Sequence, residues 1–150
     1  MKTTKCFLTL FVVLVMTAAC SREEYHPVTL GRISPSDGQI RVSGIPTQNL
    51  LGDNWGRGKG QLKLTIENDQ KDNNGRSTEW LDADTYTVGP NKEQVVIEAH
   101  KLIDEAVKQK RPIELYGKYH FQAPVDNRSG AFIVLILHKV KVADQFFAFQ

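Results

Sequence analysis

The chain has 150 residues, a length typical of one domain that buries a core without disulfides. Its 19 Lys and Arg exceed its 17 Asp and Glu, but Lys2 and Lys5 lie in the first 20 residues, which contain no acid. The rest of the chain has 17 basic and 17 acidic residues. Net charge therefore gives no argument for nucleic-acid binding, and no nucleic-acid partner is expected.

The beginning of the chain has the order of a secretory signal. A short cationic region is followed by an almost wholly apolar run from Cys6 to Met16, and then by small residues up to Ala19. The alternative is a transmembrane anchor. Cys6 to Ala19 is 14 residues, however, which is about 21 Å as a helix, whereas a bilayer core is about 30 Å thick. We therefore predict a signal peptide over residues 1–19.

Cys20 becomes the only thiol of the mature chain once Cys6 is removed with the signal. A lone thiol is open to oxidation outside the cytoplasm, and acylation removes that problem. The run from Met16 to Cys20 resembles the lipobox of bacterial lipoproteins, although Thr17 stands where the family usually has leucine. The resemblance implies that fatty acids such as palmitate are attached to Cys20. With Ser21 after the cysteine, it also implies a lipid anchor in the outer membrane, facing the periplasm. Ordinary cleavage nearby, giving a soluble periplasmic protein, is the alternative.

After the leader, residues 20–30 are interpreted as the lipidated cysteine and a tether, and residues 31–150 as a single globular β-rich domain. Alternation of apolar and polar side chains predicts the first strands of that domain. These strands are Gln39 to Ser43, Gln61 to Glu67 and Thr78 to Val88. The segment between the first two, Gly44 to Gly60, is rich in Gly and Asn and is predicted to be irregular.

The spacing of apolar residues then changes to that of a helix. The helical stripe consists of Val95, Ala99, Leu102, Ile103 and Ala106, and it is widened by Val96 and Val107. Asn91 is predicted to cap this helix, with Gln94 completing a capping box. Pro112 ends it. Two more strands are predicted after the helix, over Ile113 to Phe121 and Ala131 to Val142.

This order of elements resembles the OB-fold, a five-stranded, partly open Greek-key barrel. The resemblance implies a mainly β (α+β) domain, in which a small barrel carries one helix between its third and fourth strands. Another small α+β sheet packed on one helix is the alternative.

The predicted outer side of the strands collects basic and aromatic side chains. They are Arg41, Lys63, Tyr116, Lys118 and His120. OB-fold modules grip oligonucleotides or oligosaccharides with such a face, because cations meet negative groups and rings stack on flat ones. In the envelope we expect a glycan, an anionic lipid headgroup or a protein edge instead. The alternative is an ordinary solvated strand surface.

Other candidate features have ordinary structural explanations. Trp55 is interpreted as a buried plug, and Arg57 and Lys59 as part of a solvated loop. The four histidines lack metal-ligand spacing, so no metal and no cofactor are predicted. The leading hypothesis is a non-enzymatic, membrane-held binding or assembly module. The alternatives are an enzyme acting on an envelope polymer through Glu79, Asp82 or Asp84, and an accessory lipoprotein of a secretion or conjugation machine.

The leader predicts a specific covalent product. Protein extracted from membranes is expected to have the mass of a chain that begins at Cys20, increased by the mass of its acyl chains. The Cys20→Ser variant should lose both this added mass and its retention on membranes. Intact-mass spectrometry of the two proteins measures this. An unmodified chain that begins near Ser21 would instead identify a soluble protein.

Overall fold

The computed structural model of the chain describes residues 24–34, 36–52, 61–86, 88–122 and 132–150. Its strands are β1 (His26–Val28), β2 (Gln39–Leu51), β3 (Leu62–Glu67), β4 (Trp80–Asp84), β5 (Ile113–Gln122), β6 (Phe132–Val142) and β7 (Gln145–Ala148). The helix α1 (Glu93–Gln109) lies between β4 and β5. Cys20 and the glycine-rich run with Trp55, Arg57 and Lys59 lie outside the described residues.

Five of the strands close into a barrel. β2 pairs with β3, β3 with β4, and β4 runs parallel to β6; β6 then pairs with β5, and β5 returns to β2. The short strands β1 and β7 extend this ring by pairing with β2 and β6. The predicted mainly β class with one helix is therefore confirmed, and the architecture is consistent with a small OB-like barrel.

The core forms because apolar residues at every second position point into the barrel. Leu62, Leu64 and Ile66 on β3 are fully buried, as the alternation predicts. Ile40 and Val42 on β2 point inward in the same way. The side chains between these residues face outward, so the strand register decides which polar groups meet on the outer surface.

β2 is longer than predicted, because it continues through Gly44 to Leu51 instead of becoming irregular. The strand pairs with β5 up to Gly44 and with β3 from Ile45 onward, so it passes from one neighbour to the next at the glycine. A Cβ on Gly44 would lie 3.0 Å from the Glu67 carbonyl oxygen. Glycine thus allows the close approach that a barrel corner needs.

The helix follows the fourth strand of the chain, whereas we predicted it between the third and fourth. The difference arises from β1, which occupies part of the predicted tether and pairs in parallel with residues Ile40 to Val42. Leu30, just beyond β1, is buried in the core. Within the ring alone, α1 connects the third barrel strand, β4, to the fourth, β5.

The helix packs on the barrel through the predicted stripe. Its buried residues are Val96, Ala99, Ile103 and Ala106. Asn49 on β2 holds it in place, since the amide nitrogen donates hydrogen bonds to the His100 carbonyl (2.9 Å) and to Asp104 Oδ1 (2.7 Å). The predicted Asn91 capping box is wrong: Asn91 adopts φ 61° in the preceding turn, and Lys92 occupies the N-cap without a side-chain hydrogen bond.

A β-bulge joins β5 to β6 where the two backbones approach closely. Tyr116 pairs with Lys139 and Gly117 with Leu137, which leaves His138 as the extra residue on β6. A Cβ on Gly117 would lie 2.1 Å from the Ile136 carbonyl oxygen. Only glycine therefore fits at this position.

Gly117→Ala should therefore lower the free energy of unfolding by about 2–4 kcal/mol or prevent folding, because the added methyl meets backbone rather than a movable side chain. The exposed neighbour provides a matched control, as Lys118→Ala should change the stability by less than about 0.5 kcal/mol. Urea denaturation of the two variants measures the difference. Equal stabilities would show that the backbones can separate without cost.

Candidate functional site

One outer surface of the barrel brings together aromatic and charged side chains from β2, β5, β6 and β7. Arg41 lies opposite Tyr116 across the β2–β5 pair, and Tyr116 lies opposite Lys139 across the β5–β6 pair. We call this surface the Tyr116 face. It comprises Tyr25, Arg41, Glu114, Tyr116, Lys118, His138, Lys139, Lys141 and Phe146.

Three aromatic rings form the centre of the Tyr116 face. The Tyr25 ring meets that of Tyr116 edge-on, with centroids 5.4 Å apart and an interplanar angle of 89°. The Phe146 ring lies 5.9 Å from that of Tyr116, at an interplanar angle of 57°. Edge-to-face pairs of this kind contribute about 0.5–1.5 kcal/mol beyond the area they bury. Phe146 is nevertheless 60% exposed, so the cluster presents an apolar edge to solvent.

The bulge on β6 fixes Tyr25 to the barrel. Because His138 is the extra residue, both it and Lys139 reach the outer surface. The Tyr25 hydroxyl and His138 Nδ1 form a hydrogen bond of 3.1 Å. Lys139 Nζ lies 4.7 Å from the centroid of the Tyr25 ring, in a cation–π contact. The segment predicted to be a tether is thus held on the face by two successive side chains.

Glu114 organises the charges beside Tyr116. Its carboxylate accepts a hydrogen bond from the Tyr116 hydroxyl (2.8 Å) and lies 3.5 Å from Lys141 Nζ. Burial and the Glu114 carboxylate raise the pKa of Tyr116 above its usual 10.0, and Arg41 acts in the opposite direction. Tyr116 therefore remains a neutral hydrogen-bond donor at physiological pH. Lys141 also lies 5.5 Å from the Phe146 ring centroid.

The structure brings together some of the predicted binding residues and separates others. Arg41, Tyr116 and Lys118 share the Tyr116 face, and His120 lies farther along the same side of β5, opposite Val134. Lys63 is elsewhere, because it pairs with Leu50 near the far end of β2 and with Asp84 on β4. From Arg41 to Leu50, β2 covers roughly 30 Å at about 3.3 Å per residue.

Sequence reasoning missed the two rings that contact Tyr116, those of Tyr25 and Phe146. Tyr25 lies in the segment interpreted as a tether, where no alternation marks it as part of the fold. Phe146 belongs to the short strand β7, which follows β6 after a two-residue turn. The signal that was available is composition, because the last six residues of the chain contain three phenylalanines.

The three acids of the enzyme alternative, Glu79, Asp82 and Asp84, do not line one cleft. Glu79 lines an open cleft of about 770 Å³ together with Glu67 and Asp69. Asp82 and Asp84 are not among the residues that line this cleft. Asp82 accepts a hydrogen bond from the Thr65 hydroxyl (2.6 Å), and the buried Asp84 accepts one from the Tyr86 amide (2.8 Å). These bonds give both aspartates structural roles at the barrel wall.

Within residues 24–34, 36–52, 61–86, 88–122 and 132–150, no group of three or more His, Cys, Asp or Glu is placed to hold a metal ion. Over the same residues, no helix has the length and apolar character needed to cross a bilayer.

The chain matches no protein-family model, and no curated protein matches its sequence. The fold and the geometry of the Tyr116 face are therefore the basis for the functional argument.

The contact between Tyr116 and Glu114 has a measurable consequence for titration. In the native chain, Tyr116 should form phenolate at a higher pH than an ordinary tyrosine, because burial and a nearby negative charge both oppose ionisation. Glu114→Gln should lower this pKa, since the carboxylate that opposes ionisation is removed. Ultraviolet titration of tyrosinate measures the shift, and Tyr116→Phe identifies the transition. Glu98→Gln on the helix is the control, and an equal shift there would contradict the assignment.

Proposed function

We propose that this protein is a non-enzymatic bacterial lipoprotein that acts as a binding or assembly module in the cell envelope. In this proposal acylated Cys20 holds it to the outer membrane, facing the periplasm, and the Tyr116 face is its contact surface. The observation that carries the proposal is the aromatic and cationic cluster around Tyr116, on which the segment next to Cys20 is itself fixed.

The chemistry of the face favours recognition over catalysis. Its central groups are rings, cations and a neutral phenol, which suit stacking, cation–π contact and hydrogen bonding to a partner. The carboxylates needed for acid–base chemistry on a polymer are divided between an open cleft and the barrel wall. Glu79 therefore shares no cleft with Asp82 or Asp84, the acids that the enzyme alternative names.

The barrel itself supports the same proposal. We assign it to the OB-fold, on the order β2-β3-β4-β6-β5 in the ring and on the helix between β4 and β5. The contact surface proposed here uses β5, β6 and the added strand β7. An accessory role in a secretion or conjugation machine is a form of this proposal in which the partner is a protein.

Photo-crosslinking in cells tests the contact surface. A photoreactive amino acid at Lys118 or Phe146 should form adducts with an envelope component, whereas one at the exposed Asn74, between β3 and β4, should not. Replacing Tyr116 and Arg41 with Ala together should lower the yield at Phe146 by about tenfold or more, because losing central aromatic and arginine contacts commonly costs more than about 1.4 kcal/mol.

The mass of each adduct distinguishes a lipid from a glycan or a protein. Circular dichroism of the purified double variant controls for loss of fold. Equal adduct formation at all three positions, or none at Lys118 and Phe146, would contradict the assignment of the Tyr116 face as the contact surface.

A further inference from the structure

We propose that the partner of the Tyr116 face is the anionic headgroup surface of the same membrane that holds the lipid anchor. This inference rests on the proposed function, since it requires an acylated Cys20 and a contact surface on this side of the barrel. It adds the chemistry of the partner and the orientation of the domain.

The length of chain between the anchor and the face is the first argument. Tyr25 is the fifth residue after Cys20, and a fully extended chain covers at most about 3.6 Å per residue, or about 18 Å between the two. The headgroup layer takes up roughly 6 Å of that reach. The Tyr25 backbone therefore lies at most about 12 Å beyond the headgroups, which is about one and a half Debye lengths (about 8 Å each) at physiological salt.

This limit on the distance from the headgroups applies to the face because Tyr25 is fixed to it. If the chain were held only from the buried Leu30, the tenth residue after Cys20, the reach would double to about 36 Å. The hydrogen bond to His138, the cation–π contact with Lys139 and the ring contact with Tyr116 fix the earlier point. The face itself, and not merely the domain, is held next to the bilayer.

Charge is the second argument. The strands of the Tyr116 face carry four cations, Arg41, Lys118, Lys139 and Lys141, against the single carboxylate of Glu114. Two acids flank the face, Glu24 beside Tyr25 and Asp144 in the β6–β7 turn. A cation close to an anionic leaflet contributes about fivefold to binding.

The opposite side of the barrel has the opposite charge. β5 pairs with β2 and β6, so β3 and β4 lie across the ring from it. β3, β4 and the segment that connects them contain three basic residues and six acidic ones. The acidic residues are Glu67, Asp69, Asp72, Glu79, Asp82 and Asp84. An anionic membrane therefore attracts one side of the barrel and repels the other, which favours a single orientation.

The aromatic cluster is the third argument. Tyrosine is enriched at membrane–water interfaces because its ring is apolar and its hydroxyl polar. Tyr25 and Tyr116 present both parts, and the exposed Phe146 beside them provides apolar area that a headgroup layer covers. A free anion would satisfy the cations alone, whereas a bilayer surface satisfies the cations and the rings together.

The experiment uses acylated protein purified from membranes and reconstituted in vesicles. Because acylation blocks Cys20, an introduced cysteine is the only reactive thiol of the mature chain. Ala148→Cys places a fluorophore on the face, opposite Lys139, and Asn74→Cys places it across the barrel. Quenching by phospholipids with a quencher near the headgroup is measured in phosphatidylcholine vesicles, with or without phosphatidylglycerol.

We expect quenching at position 148 in vesicles that contain phosphatidylglycerol, weaker quenching in phosphatidylcholine alone, and little at position 74 in either. High salt should reduce the difference. Lys118→Glu, at an exposed position, should lower the ratio of docked to undocked protein by about 25-fold, because it removes one attractive charge and adds a repulsive one. Lys118→Gln should lower it by only about fivefold.

The results that contradict the membrane as partner differ from those that contradict the contact surface or the lipid anchor. Equal quenching at positions 148 and 74, or quenching at 148 that phosphatidylglycerol does not change, would overturn the anionic membrane as partner. Adducts with a protein or glycan at Lys118 and Phe146 in cells would then leave the contact surface valid with another partner. A chain that is not acylated and does not remain on vesicles would overturn the proposed anchor and this inference together.

Discussion

The Tyr116 face depends on one close approach of two backbones, at Gly117 on β5 and Ile136 on β6. The bulge beside it turns two consecutive residues, His138 and Lys139, toward the same surface. A regular strand would send one of them inward, because its side chains alternate between the two faces. The Tyr25 hydroxyl would then lose its hydrogen bond or its ring would lose the cation, and the start of the chain would be held less firmly.

The same constraint links the core to the surface. Leu115 and Leu137 fill the barrel on either side of the bulge, while Tyr116 points outward between them. The inward residues set the register, because slipping one strand by a single residue would bury the polar set. The positions of Tyr116, Arg41 and Lys139 relative to one another are therefore consequences of core packing, and local loop conformation has no part in them.

The pattern of apolar residues located all five ring strands except the second half of β2, and alternation identified the inward residues of β3, Leu62, Leu64 and Ile66. It assigns each side chain to the inside or the outside of the barrel but gives no position around the circumference. Lys63 and Arg41 are both outward, yet long-range pairing places them at different ends of β2. Grouping them into one surface required the register, which depends on contacts far apart in the chain.

The parts that sequence reasoning missed are short and depend on tertiary contacts. β1 has three residues, one of them Pro27, and owes its strand geometry to pairing with β2. Asn91 has the right chemistry for a cap, but the chain enters α1 through a left-handed residue, which puts Lys92 at the N-cap. Local preference is weak evidence wherever the neighbouring structure fixes the path of the backbone.

A balanced net charge conceals the arrangement that matters for this molecule. The 17 bases and 17 acids that follow the leader cancel in the sequence, but the register sorts them, with cations around Tyr116 and acids on β3, β4 and their connection. Such a separation has an effect only if something holds the molecule near a charged surface. The contacts of Tyr25 supply that condition, because this residue, the fifth after the predicted anchor, is fixed on the cationic side. If Cys20 is acylated and this surface binds a partner, as we propose, attachment and recognition use the same surface of the barrel, and the partner must fit around Tyr25.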